Sequence, residues 1–512
     1  CAETRGGGAD DMIRAFHQRE GRIKGRAPFF KSLGTIFTLA SGGSGGREGP
    51  TAFIGAGLGS WVGRLLGAGP RARRTLLLAG TAGGLGAIFK APLGGALVAV
   101  EIIYKEDIES DSLVPCILAS VTGYLVFTGI VGPGSMFELG ELIALNDFRE
   151  FLFYVSLGVV CYSVGYLYVR SFHMVGDWFE RLRMPRVFKP ALGGALVGAV
   201  ALFFPQVIGG GMGFLYEVLN GRTPLPDTQN LVWLAGSFLL IAFLKIVTTA
   251  FTIGSGGSGG VFAPSLFIGA MIGGFVAAVT DFLLPDWQIS YVPFMVVGMG
   301  SFFAGVARAP FASMIMVCDI VGTYALLPPL MIVSMVAFIL SHKWSLYKQQ
   351  LANRFKSPAH FWDMQLDVLN QLKNGDHFPN PRSQAIVKRT RLLGDMEEIS
   401  FDLQASDFIV VGEDRQYHGM ISLKKVRITS DMTAIRNLIT IDDAADTTVP
   451  FVTPHDSLAR ALRVITENDV DKTAVCAPGG RVLGYIRYHD IFAVYHQFLK
   501  RPESSSEAPA VK

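Results

Sequence analysis

Along the first 355 residues the apolar positions come in blocks, without an amphipathic rhythm. Residues 151–169, 192–204, 231–251, 261–279 and 326–340 are near-continuous hydrophobic runs. Several approach the roughly 20 residues that a helix needs to cross hydrocarbon. Others are too short or hold several glycines, and are predicted to enter a membrane partway and break. Broken backbone at that depth is tolerated only where protein buries it or where it lines a wet cavity. After Arg354 the pattern changes. Residues 356–383 are polar and proline-punctuated, as a linker would be. Residues 384–500 alternate in short segments that predict a soluble α/β module. Its expected strands lie at 408–411, 419–423, 473–476 and 482–486, and its helices over 457–468 and from Tyr488 onward. Residues 501–512 form a polar tail predicted to be disordered.

One phrase occurs twice. SGGSGGREGPTAFIGA (41–56) is matched by SGGSGGVFAPSLFIGA (255–270), and GTAGGLGAIFKAP (80–92) by GMGSFFAGVARAP (298–310). Each copy then reaches an acid, Glu101 or Asp319. Matched Gly/Pro-broken hydrophobic segments in two halves of a chain point to a transporter-type internal repeat. Such repeats place the substrate between broken helices near the bilayer midplane.

Composition sharpens this picture. The chain is 50% hydrophobic and only 17% charged, against about a quarter charged in soluble proteins. Its net charge of +3 is too small to argue for nucleic acid. The cationic clusters Arg71, Arg73, Arg74 and Arg181, Arg183, Arg186, Lys189 are expected on the cytoplasmic side. Cysteines 1, 116, 161, 318 and 476 show no metal or redox spacing and read as packed free thiols. The first half is shorter than the second, which predicts that N-terminal helices precede Cys1 in the full gene product. No signal peptide is readable.

The motifs carry a chemistry of their own. Each Gly-rich phrase precedes an apolar helix, and glycines leave backbone N–H groups uncovered at a helix end that carries about half a positive charge. Two such ends facing each other make an anion site with no full cation, so a bound ion can leave again. Glu48 is an ionisable group in an apolar segment, where its cost implies function. Its carboxylate is itself an anion, able to occupy such a site and to leave it on protonation. A capping-box acid is the plainer alternative. No nucleophile–base pair or His/Cys/acid cluster suggests an enzyme.

On Gly46-Arg47-Glu48-Gly49-Pro50, Gly260-Val261-Phe262-Ala263-Pro264, Lys245-Ile246-Val247-Thr248-Thr249 and Tyr347, residues 6–355 resemble the CLC family of chloride channels and chloride/proton exchangers. The resemblance implies an all-α multi-pass membrane domain with inverted-repeat, broken-helix architecture. It also implies a homodimer in the plasma (inner) membrane with one pore per subunit, bound chloride and a lipid surround. It assigns the gate, and in exchangers the outer proton carrier, to Glu48. The anion falls to the N–H groups of Val261 and Phe262, the Tyr347 hydroxyl and an early serine. That serine is Gly7 here, and Asp10 stands at the usual proline, so the preferred anion is left open. Gly7, Arg47 and Gly49 join the candidate anion-binding set, although Arg47 reads more as a residue that orients backbone or faces water. Exchangers usually carry a second glutamate after the one matching Glu101. Here it is Ile102, which cannot carry a proton, although Glu106, Asp107 or Glu109 could substitute.

Residues 384–500 resemble a cytoplasmic pair of CBS domains, the first copy degenerate. Such domains hold adenosine ribose with Gly-x-x-Ser/Thr-x-x-Asp. The first copy has Gly419, Ser422 and then Lys425; the second has Gly484, Arg487 and then Asp490. Ser422 and Asp490 are therefore the candidate nucleotide contacts, and no other cofactor is expected. The leading expectation is a glutamate-gated chloride channel. The alternatives are a proton-coupled antiporter of the same family and a transport-dead sensor signalling through the CBS-like module.

Overall fold

The computed structural model describes residues 6–137, 151–222, 230–287, 289–360, 369–379, 381–396, 399–400, 405–422 and 439–499. Cys1, Lys425, the 501–512 tail and parts of the 356–383 linker and of residues 396–406 lie outside them. The chain divides into two compact units, Cys1–Ala359 and His360–Lys512.

The first unit is helical throughout: α1 (Ala9–Gln18), α2 (Ala27–Ala40), α3 (Glu48–Leu65), α4 (Pro70–Phe89), α5 (Pro92–Glu101), α6 (Leu113–Val131) and α7 (Phe151–Arg181) lead into α8 (Lys189–Ala201) and α9 (Met212–Leu219). The run continues through α10 (Leu231–Gly254), α11 (Phe262–Leu283), α12 (Tyr291–Ala307), α13 (Pro310–Val321) and α14 (Leu327–Leu340). Four helices, over Ser110–Val131, Phe151–Arg181, Leu231–Gly254 and Phe262–Leu283, are long and apolar enough to cross a membrane. Others, such as α5 with 10 residues and α13 with 12, stop well short of a crossing.

The short helices break by a repeated device. Lys90 ends α4 and Arg308 ends α12 in the left-handed region, at φ 53° and 60°. An alanine follows each, then a proline that opens the next helix, where its missing N–H costs nothing. The carboxylate of Glu101 accepts from the N–H groups of Phe311 (3.1 Å) and Ala312 (2.6 Å) at the start of α13. Reciprocally, Asp319 accepts from Gly94 N–H near the start of α5 (3.1 Å). Each short helix thus ends in the acid that satisfies the open N-terminus of its counterpart.

The two halves meet at equivalent positions. Gly46 and Gly260 exchange backbone hydrogen bonds in an antiparallel bridge, at 2.7 and 2.5 Å. Beside it, Ser44 N–H donates to Thr252 Oγ1 (2.9 Å) and Ser258 N–H donates to Thr38 Oγ1 (3.1 Å). The Ser44 and Thr249 hydroxyls bond at 3.1 Å, and those of Ser258 and Thr35 at 2.9 Å. Every bond has its mirror in the other copy, as a two-fold relation between inverted repeats requires.

The second unit holds a three-stranded sheet in the order β1 (Ile386–Lys388), β2 (Asp407–Val411), β3 (Tyr417–Ser422), with β1 parallel and β3 antiparallel to β2. A second, antiparallel pair is formed by β4 (Lys472–Cys476) and β5 (Val482–Arg487). Every residue of β2 and β4 is buried. The helix Leu458–Glu467, capped by Ser457, lays Leu458, Ala461, Leu462 and Ile465 on this core. The four expected strands and two expected helices appear within a residue or two of their expected bounds, whereas β1 and the short helix Ile441–Ala444 were not expected from the sequence.

Helix packing in the first unit rests on glycine contacts that admit no side chain. A Cβ on Gly55 would lie 2.1 Å from Gly80 O, and one on Gly80 would lie 2.2 Å from Gly55 O. Gly269 and Gly298 repeat this in the second half, each at 2.3 Å. Gly80→Val and Gly298→Val should each cost about 1–3 kcal/mol or more through overpacking. Both are expected to cut the monodisperse fraction in detergent size-exclusion chromatography. Gly236→Ala on α10, where a Cβ meets nothing within 4 Å, should elute like the parent.

Candidate functional site

The expected site residues line three cavities of the first unit. The smallest is a chamber of about 20 Å3, room for roughly one water-sized particle. Gly7, Gly49, Ile102, Val261, Phe262 and Tyr347 all line it. The helices explain the convergence: α1 begins just after Gly7 and Gly8, α3 begins at Glu48, and α11 begins at Phe262. The first N–H groups of each helix have no intrahelical acceptor. Close backbone approach holds the ends together, since a Cβ on Gly49 would meet Gly7 O at 2.6 Å and Gly260 Cα at 3.0 Å.

Gly7 also lines a larger cavity of about 720 Å3, whose charged lining balances Arg14, Arg186, Lys189 and Lys348 against Asp10, Asp11, Asp177 and Glu180. A Cβ on Gly7 would approach only Gly259 O, at 3.7 Å, and its φ is not left-handed. The position therefore has space for a side chain that the sequence does not supply. Asp10, at the expected proline, accepts from Gln349 N–H (3.0 Å) and ties the start of α1 to the segment carrying Tyr347.

Tyr347 is 5% exposed. Its N–H donates to Ser345 Oγ (3.2 Å), and Ser345 Oγ donates to Gln350 Oε1. Gln350 Nε2 in turn donates to Ile102 O and Ala307 O, both at 2.9 Å. One amide thus fixes the tyrosine loop against the ends of α5 and α12.

Glu48 and Arg47 line a third cavity of about 390 Å3. Arg47 is exposed, whereas Glu48 is 2% exposed. The carboxylate lies over Gly46, where a Cβ would come 2.0 Å from Oε2, so only glycine fits beneath it. Oε2 has no hydrogen-bond partner, but the carboxylate also meets the backbone N–H groups of Glu48 itself and of Ala263. It thus serves amides at the starts of α3 and α11, as the plainer capping alternative expects. Two cations act on the carboxylate, Arg47 and the fully buried Lys245.

Lys245 Nζ donates to Val207 O (2.9 Å) and Gly209 O (2.6 Å) and lies 5.2 Å from the Phe267 ring centroid. Its counterpart Lys31, missed in the sequence, is equally buried and donates to Gly6 O. Gly209-Gly210-Gly211 was missed too. It answers Gly6-Gly7-Gly8: Gly6 N–H donates to Gly257 O (3.1 Å) as Gly209 N–H donates to Gly43 O (3.2 Å). The signal was Lys31 to Thr35 set against Lys245 to Thr249, together with the second glycine triplet.

Of the acids near Ile102, Glu106 is exposed and faces Arg308 at 3.8 Å, and Asp107 accepts from Ile108 and Arg354 N–H. Glu109 is buried and accepts from the Tyr104 hydroxyl at 2.9 Å. None of the three lines the chamber. Among the described residues no group of three or more His, Cys, Asp or Glu could hold a metal ion. Cys116, Cys161, Cys318 and Cys476 are buried free thiols.

In the second unit Ser422 closes β3 and pairs with Asp407 in register. Asp490 is already engaged. Arg487, at the usual Ser/Thr position, donates to its Oδ1 from Nη2 (3.0 Å) and to its Oδ2 from Nε (3.1 Å). Burial alone would raise the Asp490 carboxyl, but the Arg487 pair outweighs it and holds the group below its ordinary range.

A family model described as "Voltage gated chloride channel" matches residues 1–342, and one for the CBS domain matches residues 441–497. A ClcB-like chloride channel protein of Ralstonia nicotianae is 31% identical over 352 residues, covering 67% of this chain and 79% of the relative. The voltage-gated ClC-type chloride channel ClcB of Salmonella typhimurium is 32% identical over 339 residues, covering 65% and 78%. Among solved structures, a CLC-type fluoride/proton antiporter superposes with a TM-score of 0.58 at 23% identity, covering 67% of this chain and 82% of that one. A slow cyanobacterial chloride/proton antiporter gives 0.56 at 22% identity, covering 66% and 78%. The chain belongs to the voltage-gated chloride channel (CLC) family, a membrane protein with a C-terminal CBS domain.

Proposed function

We propose that the chain forms a glutamate-gated pathway that passes chloride or a similar small anion without stoichiometric proton movement. The observation that carries this reading is the chamber lining. Its anion-facing groups are helix N-terminal amides and the Tyr347 side chain, and Ile102 stands where a proton acceptor would have to be. Amide donors at Val261 and Phe262 attract an anion with partial charges only, which favours flux over tight binding. The cavity that holds Arg186 and Lys189, from the second cationic cluster, is read as facing the cytoplasm by the positive-inside rule, and the Glu48 cavity as opening on the opposite side. Glu48 gates as an anion: ionised, it competes for the outer end of the pathway, and protonated it withdraws. A second copy of the chain would cover apolar side chains left exposed on α5, α6 and α13, such as Leu93, Leu118 and Phe311.

Proton-coupled exchange is the second reading, favoured by the buried Tyr104–Glu109 pair just past Ile102. Simultaneous chloride and proton fluxes from liposomes containing the full-length protein separate the two. Under the leading reading an imposed chloride gradient drives no proton pumping, and Glu48→Gln gives flux that no longer responds to external pH. Proton uptake against its gradient that Glu109→Gln abolishes would establish exchange instead.

Gly7 offers a gain-of-function test. Gly7→Ser adds a hydroxyl to the chamber wall without backbone strain. A neutral hydrogen bond is worth about 0.5–1.5 kcal/mol. The chloride-to-nitrate permeability ratio should therefore move by roughly two- to tenfold. An unchanged ratio in a folded variant would remove the anion from this wall.

We read the CBS region as a regulatory platform whose ribose carboxylate is self-occupied. Arg487→Thr frees Asp490 and restores a hydroxyl. Breaking a charged hydrogen-bonded pair is worth about 1.5–3 kcal/mol. Adenine nucleotide affinity of the full chain should therefore rise about tenfold or more, read by equilibrium dialysis.

A further inference from the structure

Two shielded side-chain oxygens without hydrogen-bond partners belong to residues that line one cavity: Oε2 of Glu48 and Oε1 of Gln206. Gln206 is not a mobile surface group. It sits in the turn Pro205–Val207, and the carbonyls of Val207 and Gly209 both accept from Lys245 Nζ. Val207 is fully buried, and Gly209 O also accepts from Gly45 N–H (3.0 Å), next to the Glu48 motif. The buried lysine whose charge acts on Glu48 therefore also anchors the backbone beside Gln206.

The chemistry of the pair is asymmetric. An ionised carboxylate only accepts hydrogen bonds, and so does an amide oxygen. Lining one cavity, the two cannot satisfy each other while the carboxyl is ionised, and both acceptors stay unpaired, which is unfavourable when buried. A protonated carboxyl has one O–H to give, and an amide oxygen is a suitable acceptor for it. We propose that Gln206 is a positioning residue for the gate: its amide oxygen accepts the hydrogen bond that Glu48 can donate only when protonated. Gln206 then favours the protonated gate and sets the pH at which the pathway opens. This rests on the reading of Glu48 as the gate. The other charged groups that act on Glu48 are Arg47 from its own segment and Lys245 from α10. Among the described residues, no other titratable side chain lines this cavity.

The test is chloride efflux from liposomes as a function of external pH, for the parent, Gln206→Met, Glu48→Gln and the double variant. Met keeps the length of Gln and removes the acceptor. Without its acceptor the protonated form is weakened, so Gln206→Met should move the half-activation pH down by about half to one unit. Flux near neutral pH should fall about three- to tenfold, while flux at the acid plateau stays unchanged, which also reports folding. In the Glu48→Gln background the Gln206 substitution should leave the pH profile flat. If Glu48→Gln retains the parent pH response, the gate reading itself fails. If Glu48→Gln flattens the profile while Gln206→Met leaves the midpoint in place or raises it, the gate stands and the Gln206 proposal is overturned. A raised midpoint would mean that the amide serves the ionised carboxylate through its NH2.

Discussion

The constraint on which the membrane domain depends is the close crossing of two glycine-rich backbones. Gly46 and Gly260 exchange hydrogen bonds at equivalent points of the two halves, and neither could carry a Cβ without displacing its neighbours. A Cβ on Gly260 would lie 2.7 Å from Gly49 N, and one on Gly46 would run into Glu48. The crossing brings the starts of α3 and α11 to one place, and Gly6-Gly7-Gly8 adds the start of α1. The chamber is a consequence of this meeting of helix ends. Its polar lining is backbone whose donors would otherwise be orphaned, and its placement inside protein is what permits broken helices in an apolar region.

Charge is handled by the same logic. The two buried lysines, Lys31 and Lys245, line neither the chamber nor the cavity beside Glu48. Each is spent on backbone carbonyls of a glycine triplet, Gly6 in one half and Gly209 in the other. They fix the loops that shape the pathway and lend it a positive field, while the surfaces an anion would touch carry partial charges. A full cation at the chamber wall would hold an anion too long for conduction. The acids Glu101 and Asp319 are likewise committed to structure, since their oxygens satisfy helix N-termini. That leaves Glu48 as the acid whose carboxylate oxygen is shielded, unpartnered and beside the pathway.

Much of this was legible in the sequence because it rests on backbone. A duplicated Ser-Gly-Gly-Ser-Gly-Gly phrase can be read directly, since glycine is required wherever main chains touch. The Ala-Pro breaks are legible because proline fixes where a helix starts. Strands β2 to β5 were legible as short apolar β-branched runs bounded by Gly/Pro turns, whereas β1, only three residues long, was not read. What escaped was held by side-chain geometry across long separations. Nothing near Arg487 in sequence says that its guanidinium folds back on Asp490. Thr38 and Thr252 look like ordinary helix residues until their hydroxyls are found receiving amides from the opposite repeat. Lys31 was passed over because its five-residue context matches Lys245 at only the first and last positions. Of the three acids near Ile102, spacing gave no reason to separate buried Glu109 from exposed Glu106.

The symmetry of the frame also shows where direction must come from. Two inverted repeats with identical backbones would present the same surface to both sides of a membrane. The copies differ at the start of the equivalent helices α3 and α11. Arg47-Glu48 gives one helix an acid at its first turn, on the wall of the 390 Å3 cavity. Val261-Phe262 gives the other an apolar pair, and Phe262 packs on Phe89 and Phe303 with ring centroids 4.7 and 4.0 Å apart. The α11 terminus thus carries no charged side chain of its own, and the Glu48 carboxylate of the other repeat reaches its Ala263 N–H. On the proposed reading, the difference between a closed and an open pathway would reduce to whether one carboxyl holds a proton.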